Sequence, residues 1–281
     1  MQPSRALEST NGEPRAEDAA ERDASLSPAW FDAPICRNCS APLATPYCAG
    51  CGQKAAKRLS FKDFGKESWE RIRLFEKDSV KTLGRLVTSP GLVARDYVHG
   101  KRAAYMHPVK LLVALVAILL LILAANQYFV RFDFAGRSRD VDLMAQRVMA
   151  YANWSFTLGI FAIFLGSWFG FGRRLNYNAI EHGVLAIYTQ NLILAVVILN
   201  LLPTLVWHDP HFVVLHKQAS SYYLSAIKLG IVALAFTQFF RLRLARDWPR
   251  LILACAIYAV ASWSLLRVYA AAILWVVSHT A

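Results

Sequence analysis

The stretch LLVALVAILLLILAANQYFV (residues 111–130) decides the fold, because it carries no charged side chain over a length that can cross a bilayer. At about 1.5 Å per residue, a helix of this length matches a hydrocarbon core of roughly 30 Å. Residues 154–172 and 183–207 are also uncharged, and residues 222–240 and 251–277 carry one cation each. The sequence therefore predicts an all-α polytopic membrane protein with about five transmembrane helices.

The distribution of lysine and arginine predicts the orientation in the membrane. Fourteen of these cations lie between Lys54 and Lys110, against six acids, and such an excess marks the cytoplasmic side. The segments that follow the second and fourth predicted spans are basic as well, through Arg173, Arg174, Arg241, Arg243, Arg246 and Arg250. We therefore expect a cytoplasmic N-terminus and a C-terminus on the opposite side of the membrane.

Four cysteines ahead of the first span form two Cys-x-x-Cys pairs in CRNCSAPLATPYCAGCGQK (36–54), namely Cys36, Cys39, Cys48 and Cys51. Disulfides are disfavoured in a reducing cytoplasm. Two such pairs joined by a short loop can place four thiolates tetrahedrally around zinc, and Gly52 suits a knuckle with positive φ. The loop is too short for a hydrophobic core, so the metal would supply most of the folding energy. We predict a structural zinc ribbon; iron in the same site and a redox dithiol are the alternatives.

Cys255, in the last span, is expected to be a small buried apolar residue.

Residues 59–87 show apolar side chains near helical spacing, with lysine and arginine on the other faces. Such a basic amphipathic helix either lies in the membrane interface against anionic lipid or packs on the cytoplasmic ends of the bundle. The SPG motif at 89–91 is expected to end it.

These patterns divide the chain into a disordered tail (1–33), the zinc ribbon (34–54), a basic amphipathic juxtamembrane region (55–107) and a transmembrane domain (108–281). The tail is predicted because residues 1–30 hold six acids, three arginines and no apolar run, which also argues against a signal peptide. The predicted spans are 109–130, 152–172, 183–206, 222–240 and 251–275.

The segments YCAGCGQ (47–53) and TLGRLVTSPGLVARDYVHGKRAAYMHPVKLL (82–112), followed by a span, resemble a family of bacterial inner-membrane proteins catalogued as domain of unknown function 3667. The segment YNAIEHGVLAIY (177–188) is similar to that family's Glu-His pair at the opening of a later span. The resemblance implies a zinc ribbon on a multi-span protein of the bacterial inner membrane, with a periplasmic C-terminus under the orientation above. It implies no activity.

Glu181 and His182 are candidates for a proton relay or for binding a metal or a lipid headgroup. Adjacent helical residues point about 100° apart, which disfavours a common target. The alternative is interfacial capping, with Glu181 paired to Arg173 or Arg174.

Lys228 and Arg267 lie within predicted spans, where charges are costly. At similar depth they would bind an anion or a lipid phosphate; the alternative is that both reach the outer interface. The segment WHDPHFVVLH (207–216) offers His208, Asp209, His211 and His216 as metal ligands, although its irregular spacing and Pro210 favour a plain loop.

No phosphate-binding loop, nucleophile elbow or carboxylate pair is evident, which favours a non-enzymatic scaffold, regulatory or assembly protein. Its predicted partners are the lipid bilayer, a protein at the ribbon and further copies of itself. The alternatives are a transporter of small molecules, anions or lipids, and an iron-binding redox protein. Anionic lipid explains the basic charge before nucleic acid does. The predicted lipid contacts are Lys101, Arg102, Lys110, Arg173, Arg174, Arg241, Arg243 and Arg246.

Overall fold

The computed structural model describes residues 26–69, 77–125, 155–172, 174–207 and 209–280. The nine helices in these residues are α1 (Pro28–Asp32), α2 (Phe61–Trp69), α3 (Lys77–Thr88), α4 (Pro90–Val98), α5 (Pro108–Ala125), α6 (Ser155–Phe171), α7 (Ala179–Val206), α8 (Pro210–Phe239) and α9 (Leu244–Thr280). A short 3-10 turn, Arg174–Asn176, precedes α7. In the residues that the structure describes, β-structure is limited to isolated bridges, and no extended strand is present.

Four of the described helices are long and apolar enough to cross a membrane, within Pro108–Ala125, Ala179–Val206, His211–Phe239 and Leu244–Ile273. The apolar part of α6, Thr157–Phe171, is shorter. The predicted helical membrane fold is therefore confirmed, with four long helices and one short one where about five spans were expected. The 17 residues of α6 extend about 25 Å, slightly less than a hydrocarbon core.

Helix α8 begins earlier than the sequence suggested. Residues 208–221 were expected to form a loop, but α8 starts at Pro210. The Asp209 side chain accepts a hydrogen bond from the Phe212 N–H at 3.0 Å, and proline at the first helical position needs no N–H partner. Asp209 and Pro210 therefore start a helix, and Pro210 does not interrupt one.

Residues 26–33, which were predicted to belong to a disordered tail, are ordered. Leu26 is buried, Ser27 caps α1, and the Trp30 indole N–H donates to the His99 carbonyl at 3.3 Å. Residues 1–25 lie outside the described residues. These contacts add a short ordered segment to the N-terminal side of the ribbon.

Helix α7 is the most deeply buried of the four long helices. On one side the Tyr188 hydroxyl donates to the Met106 carbonyl at 2.7 Å, and the Asn191 amide donates to the Pro108 carbonyl at 3.0 Å. Both bonds attach the entry of α5 to α7. Most of the bundle's large exposed side chains are apolar, as expected for helices surrounded by lipid.

Helix α4 lies against the ribbon-side ends of α7 and α8, and seven of its nine residues are buried. A Cβ at Gly91 would lie 2.7 Å from the Gln238 Cβ, so only glycine permits this approach. The Gly91 N–H donates to the Gln238 side chain at 3.0 Å, and that side chain donates to the Thr88 carbonyl at 3.1 Å. Helix α4 therefore joins the juxtamembrane region firmly to the bundle.

The amphipathic segment forms α2 and α3, and residues 70–76 between them lie outside the described residues. Helix α3 ends at Thr88, beside the SPG motif. Leu86 and Thr82 are fully buried, and the Thr82 hydroxyl accepts from the Met106 N–H at 3.0 Å. Helix α3 therefore packs on the ends of the bundle, which was one of the two predicted alternatives. Phe61 at the start of α2 is 77% exposed.

Candidate metal centre

The four cysteines lie in two copies of one loop, PICRNCSAPL (34–43) and PYCAGCGQKA (46–55), offset by twelve residues (46 − 34). In each copy the first cysteine donates its backbone N–H to the carbonyl five residues on, at 2.8 and 2.9 Å. An antiparallel bridge also closes each copy, between Ile35 and Pro42 and between Tyr47 and Lys54. The two halves of the ribbon thus share one backbone design.

The turn after each Cys-x-x-Cys pair requires a left-handed residue. Ser40 has φ 62° and Gly52 has φ 70°, and they occupy equivalent positions in the two copies. Each donates its N–H to the carbonyl of the first cysteine in its loop, at 2.9 and 2.8 Å. The positive φ expected at Gly52 is confirmed, and serine adopts the same conformation in the first copy, at some steric cost.

The four thiols converge on one point. The Cys36 and Cys51 sulfurs are 3.6 Å apart, the Cys39 and Cys48 sulfurs are 3.4 Å apart, and all four lie within 4.8 Å of one another. Zinc–sulfur bonds of about 2.3 Å in a tetrahedron place sulfurs roughly 3.8 Å apart. The donor set and its spacing therefore fit one tetrahedral metal ion.

Backbone amides favour the thiolate form of the second pair. The Gln53 N–H lowers the pKa of Cys51 to about 6, and the Cys51 N–H, the largest of several causes, lowers the pKa of Cys48. The thiolate is the form that binds a metal. Cys36 and Cys48 are buried and Cys39 is exposed. Four protein sulfurs complete a tetrahedron and leave no open position, which is the pattern of a structural site.

The side chain of Gln53 attaches the ribbon to the loop between α4 and α5. Its amide nitrogen donates to the Gly100 carbonyl at 2.8 Å, and its amide oxygen accepts from the Ala103 N–H at 2.8 Å. Gly100 has φ 104°, and a Cβ there would lie 2.9 Å from the Ala56 Cβ. Both hydrogen-bonding ends of Gln53 are used, so the ribbon has a fixed position on this loop.

Arg58, which follows the ribbon, makes a second attachment at the start of α7. Its Nε lies 3.1 Å from Glu181 Oε1, and its Nη2 donates to the Asn176 carbonyl. The Glu181 carboxylate is fully buried. Asn178 and Glu181 form a reciprocal capping box, and the Asn178 amide donates to the Leu59 carbonyl at 3.3 Å. One buried carboxylate thus caps α7 and holds the chain leaving the ribbon.

His182 has different partners from Glu181. Its Nδ1 lies 2.5 Å from Ser167 Oγ and its Nε2 lies 3.0 Å from the Gly172 carbonyl oxygen. Because a carbonyl only accepts, Nε2 carries the proton and Ser167 donates to Nδ1. The Trp168 and Phe240 rings pack around the imidazole, 5.3 and 5.6 Å between ring centroids. The structure therefore gives Glu181 and His182 no common target; the imidazole ties the end of α6 to α7.

Lys228 and Arg267 are not brought together. Lys228 lies eleven residues before the end of α8, about 16 Å from its ribbon-side end, and Arg267 lies 23 residues, about 34 Å, from the start of α9. The Arg267 guanidinium lies over the Trp263 ring, 4.4 Å from its centroid. Since both helices have their ribbon-side ends near residues 240–243, the two cations differ in depth by roughly 18 Å. This distance does not support a shared anion site.

The predicted lipid contacts divide into docked and exposed residues. Lys101 pairs with Asp96 at 3.2 Å, and an Arg102 nitrogen donates to the Lys57 carbonyl. Lys110 is half-buried in the first turn of α5. Arg173 and the side chain of Arg174 lie outside the described residues. The exposed members of the set are Arg241, Arg243, Arg246 and the paired Lys101.

The histidine-rich segment 207–216 does not form a described metal cluster. Asp209 caps α8, and the His216 imidazole lies 2.8 Å from the Asn200 carbonyl oxygen. His208 lies outside the described residues. Cys255 is half-buried on α9, away from the four clustered cysteines.

The attachment of the ribbon and the contact between α6 and α9 were not predicted, although the sequence contains residues that point to them. Gln53 is the polar residue directly after the second knuckle, and Arg58 follows it by five positions. Gly166 and Gly170 form a Gly-x-x-x-Gly pattern, and Cβ atoms there would lie 2.8 Å from the Ala254 carbonyl oxygen and 3.0 Å from its Cα. This pattern, a known signal for close helix packing, identifies the contact between α6 and α9.

The family model described as "Protein of unknown function (DUF3667)" matches residues 78–120. This match confirms the resemblance inferred from the juxtamembrane motifs, and the four-cysteine cluster is consistent with a ribbon-like module ahead of it. No curated protein and no solved structure matches the chain.

Proposed function

We propose that this chain is a non-enzymatic scaffold, regulatory or assembly protein of the bacterial inner membrane whose ribbon is a zinc-stabilised docking module. The observation that carries this proposal is the fixed attachment of the ribbon to the helices. Gln53 satisfies two backbone groups of the loop at 99–107, and Arg58 pairs with the buried carboxylate of Glu181. A module held in this way can transmit the binding of a partner to the bundle.

Zinc is the metal that the ligand set favours. Four thiolates in a tetrahedron suit zinc or iron, and zinc without redox chemistry agrees with a site whose role is to hold two short loops together. When bound, zinc supplies the folding energy that the small ribbon lacks. The chain's own backbone amides, through the Gln53 and Cys51 N–H groups, stabilise the thiolates in advance.

The surface proposed for a protein partner is the outer side of the ribbon. Ile35 and Tyr47 precede the first cysteine in each loop, at equivalent positions, and they are 44% and 56% exposed. Ile35 also lines a groove of about 260 Å³, together with apolar residues such as Leu43 and Pro46 and with the polar residues Asp32, Arg37 and Thr45. Exposed apolar side chains on a rigid frame are typical of a protein-binding surface.

The proposed topology places the ribbon in the cytoplasm and the C-terminal end of α9 in the periplasm. The excess of lysine and arginine around the ribbon supports the first assignment. Helix α9 starts near the ribbon-side end of the bundle and runs away from it, which supports the second.

A site-specific crosslinking experiment tests the proposal in cells that express the full chain. A photoreactive amino acid replaces Ile35 or Tyr47, and the matched control carries it at Tyr222, an 80% exposed residue of α8 far from the ribbon. We expect a discrete crosslinked protein from the ribbon positions that is lost when all four cysteines become serine. No crosslink from either ribbon position, or the same crosslinked protein from Tyr222, would refute a ribbon-docked partner.

Metal analysis of the purified full chain tests the zinc assignment separately. Elemental mass spectrometry should find about one zinc per chain, and none in the variant with four serines. Iron at this ratio, with a visible thiolate absorption band, would support the redox alternative instead.

A further inference from the structure

The start of α9 carries an arginine cluster that the proposed docking function does not use. The segment RLRLARDWPRL (241–251) contains four arginines and one acid. Arg241, Arg243, Arg246 and Arg250 are all exposed. The acid, Asp247, is buried, and its carboxylate accepts from the Arg243 backbone N–H at 3.1 Å. The exposed surface of this segment is therefore strongly positive.

The start of α9 places three of these arginines close together along the chain, and they are called the arginine row below. Within the helix, Arg246 and Arg250 lie about 40° apart around the axis and about 6 Å apart along it, and Arg243 directly precedes the helix. Leu244 and Trp248, 59% and 55% exposed, lie together on a different arc. The first two turns of α9 thus present a cationic face and an apolar face, both open to the surroundings.

The position of the row along α9 places it at a membrane boundary. Directly after Arg250 the helix is predominantly apolar and carries no charge before Arg267. Trp248, at the same level as the arginines, is of the type that concentrates where hydrocarbon meets headgroups. A helix that enters the bilayer at residue 251 places the guanidinium groups among the lipid phosphates.

We infer that the arginine row Arg243–Arg246–Arg250, extended by Arg241, binds the phosphate of anionic phospholipids. The planar guanidinium forms paired hydrogen bonds with phosphate oxygens, which an ammonium group does not. Arg241, two residues before Arg243, is the fourth exposed cation and has a left-handed conformation (φ 46°) in the turn between α8 and α9. The site recognises a diester phosphate with net negative charge and an acyl chain alongside Trp248.

Native mass spectrometry of the detergent-purified full chain, mixed with equal amounts of dioleoylphosphatidylglycerol and dioleoylphosphatidylcholine, tests the inference. We expect preferential retention of phosphatidylglycerol by the wild type. Each surface arginine changes affinity for an anionic membrane about fivefold, so R246Q/R250Q should weaken phosphatidylglycerol binding about 25-fold. The matched control, R267Q, removes an exposed arginine from the same helix at the other end and should leave the preference unchanged.

Further arms separate the possible outcomes. R246K/R250K keeps the charge but not the paired geometry, and an intermediate affinity is expected. Equal retention of both lipids by the wild type, or an unchanged preference in R246Q/R250Q, would overturn the inference. Displacement of the lipid by millimolar inorganic phosphate would assign the site to free phosphate. A labelled oligonucleotide that binds wild type in phosphatidylglycerol nanodiscs, but not R246Q/R250Q, would assign it to nucleic acid. Unchanged melting temperatures verify that the variants are folded.

Discussion

Replacement of Gln53 by alanine should loosen the ribbon from the helices without removing a metal ligand. The substitution deletes two hydrogen bonds of 2.8 Å and leaves the Gly100 carbonyl and the Ala103 N–H without this partner. An unsatisfied buried backbone group costs about 1–3 kcal/mol; Gly100 is buried, whereas Ala103 is exposed and its N–H can bond to water. We therefore expect a loss of about 1–3 kcal/mol in docking free energy. This corresponds to a roughly 5- to 150-fold shift toward the undocked ribbon.

Hydrogen exchange of the full chain in detergent measures the loss of the Gln53 contact, because the Ala103 amide proton is itself the one bonded to Gln53. We expect its exchange to accelerate at least about fivefold in Gln53→Ala, with zinc content unchanged. Gln53→Glu keeps an acceptor for Ala103 but loses the donor to Gly100, so an intermediate effect is expected. The matched control is Lys54→Ala, because Lys54 is exposed and adjacent. Unchanged exchange at Ala103, or equal acceleration in the control, would refute the attachment.

Four further predictions concern the metal, the Arg58–Glu181 pair, the contact between α6 and α9, and His107. Zinc removal by a chelator, or serine at all four cysteines, should increase exchange at both Ala103 and the ribbon amides, since the metal supplies the ribbon's folding energy. Arg58→Ala leaves the Glu181 carboxylate buried without its guanidinium partner. Because Arg58 is 39% exposed, we expect the free energy of unfolding, measured by thermal melts, to fall by about 1–3 kcal/mol. The double variant Arg58→Ala/Glu181→Gln should recover part of this loss. Gly170→Leu should separate α6 from α9 and lower the melting temperature by several degrees, whereas Gly183→Leu, where a Cβ meets nothing within 4 Å, should change it little. Burial lowers the pKa of His107 to about 4, so the unfolded chain binds its proton near pH 6.5 while the folded chain does not. Stability is therefore highest above pH 6.5 and should fall by up to about 1.4 kcal/mol per pH unit from pH 6.5 toward 4, with a smaller slope in melts of His107→Gln.

The sequence predicted the membrane helices and the cysteine cluster because each depends on a short local pattern. An uncharged apolar run long enough for a bilayer has few other uses, and two Cys-x-x-Cys pairs at short spacing have few other arrangements. The start of α8 was missed because Asp209 and Pro210 form both a turn signal and a helix start signal. The structure shows a helix start, because the 30-residue helix α8 follows directly.

The attachment of the ribbon was not predicted because it depends on contacts between residues distant in the chain. Gln53 and Gly100 are 47 residues apart, and Arg58 and Glu181 are 123 residues apart. Nothing in the local pattern around Arg58 distinguishes it from the neighbouring cations of a basic juxtamembrane segment. The sequence analysis paired Glu181 with Arg173 or Arg174 because they are near it in the chain. A sequence shows which residues are close along the chain, but it does not show that a distant residue such as Arg58 packs against them.

The segment recognised by the family model, residues 78–120, contacts the ribbon and the helices α7 and α8. Helix α4 lies within it, against the ends of α7 and α8, and the loop after α4 bonds the Gln53 side chain twice: the Gly100 carbonyl accepts and the Ala103 N–H donates. The Met106 carbonyl in the same loop accepts from Tyr188 of α7. Close approaches such as that of Gly91 restrict residue types strongly, whereas a lipid-facing surface tolerates any apolar side chain. In this chain, the segment that the family model matches is therefore the one that joins the bundle to the juxtamembrane loop. The two surfaces proposed here for binding lie outside it, on the ribbon that it holds and at the arginine row of α9.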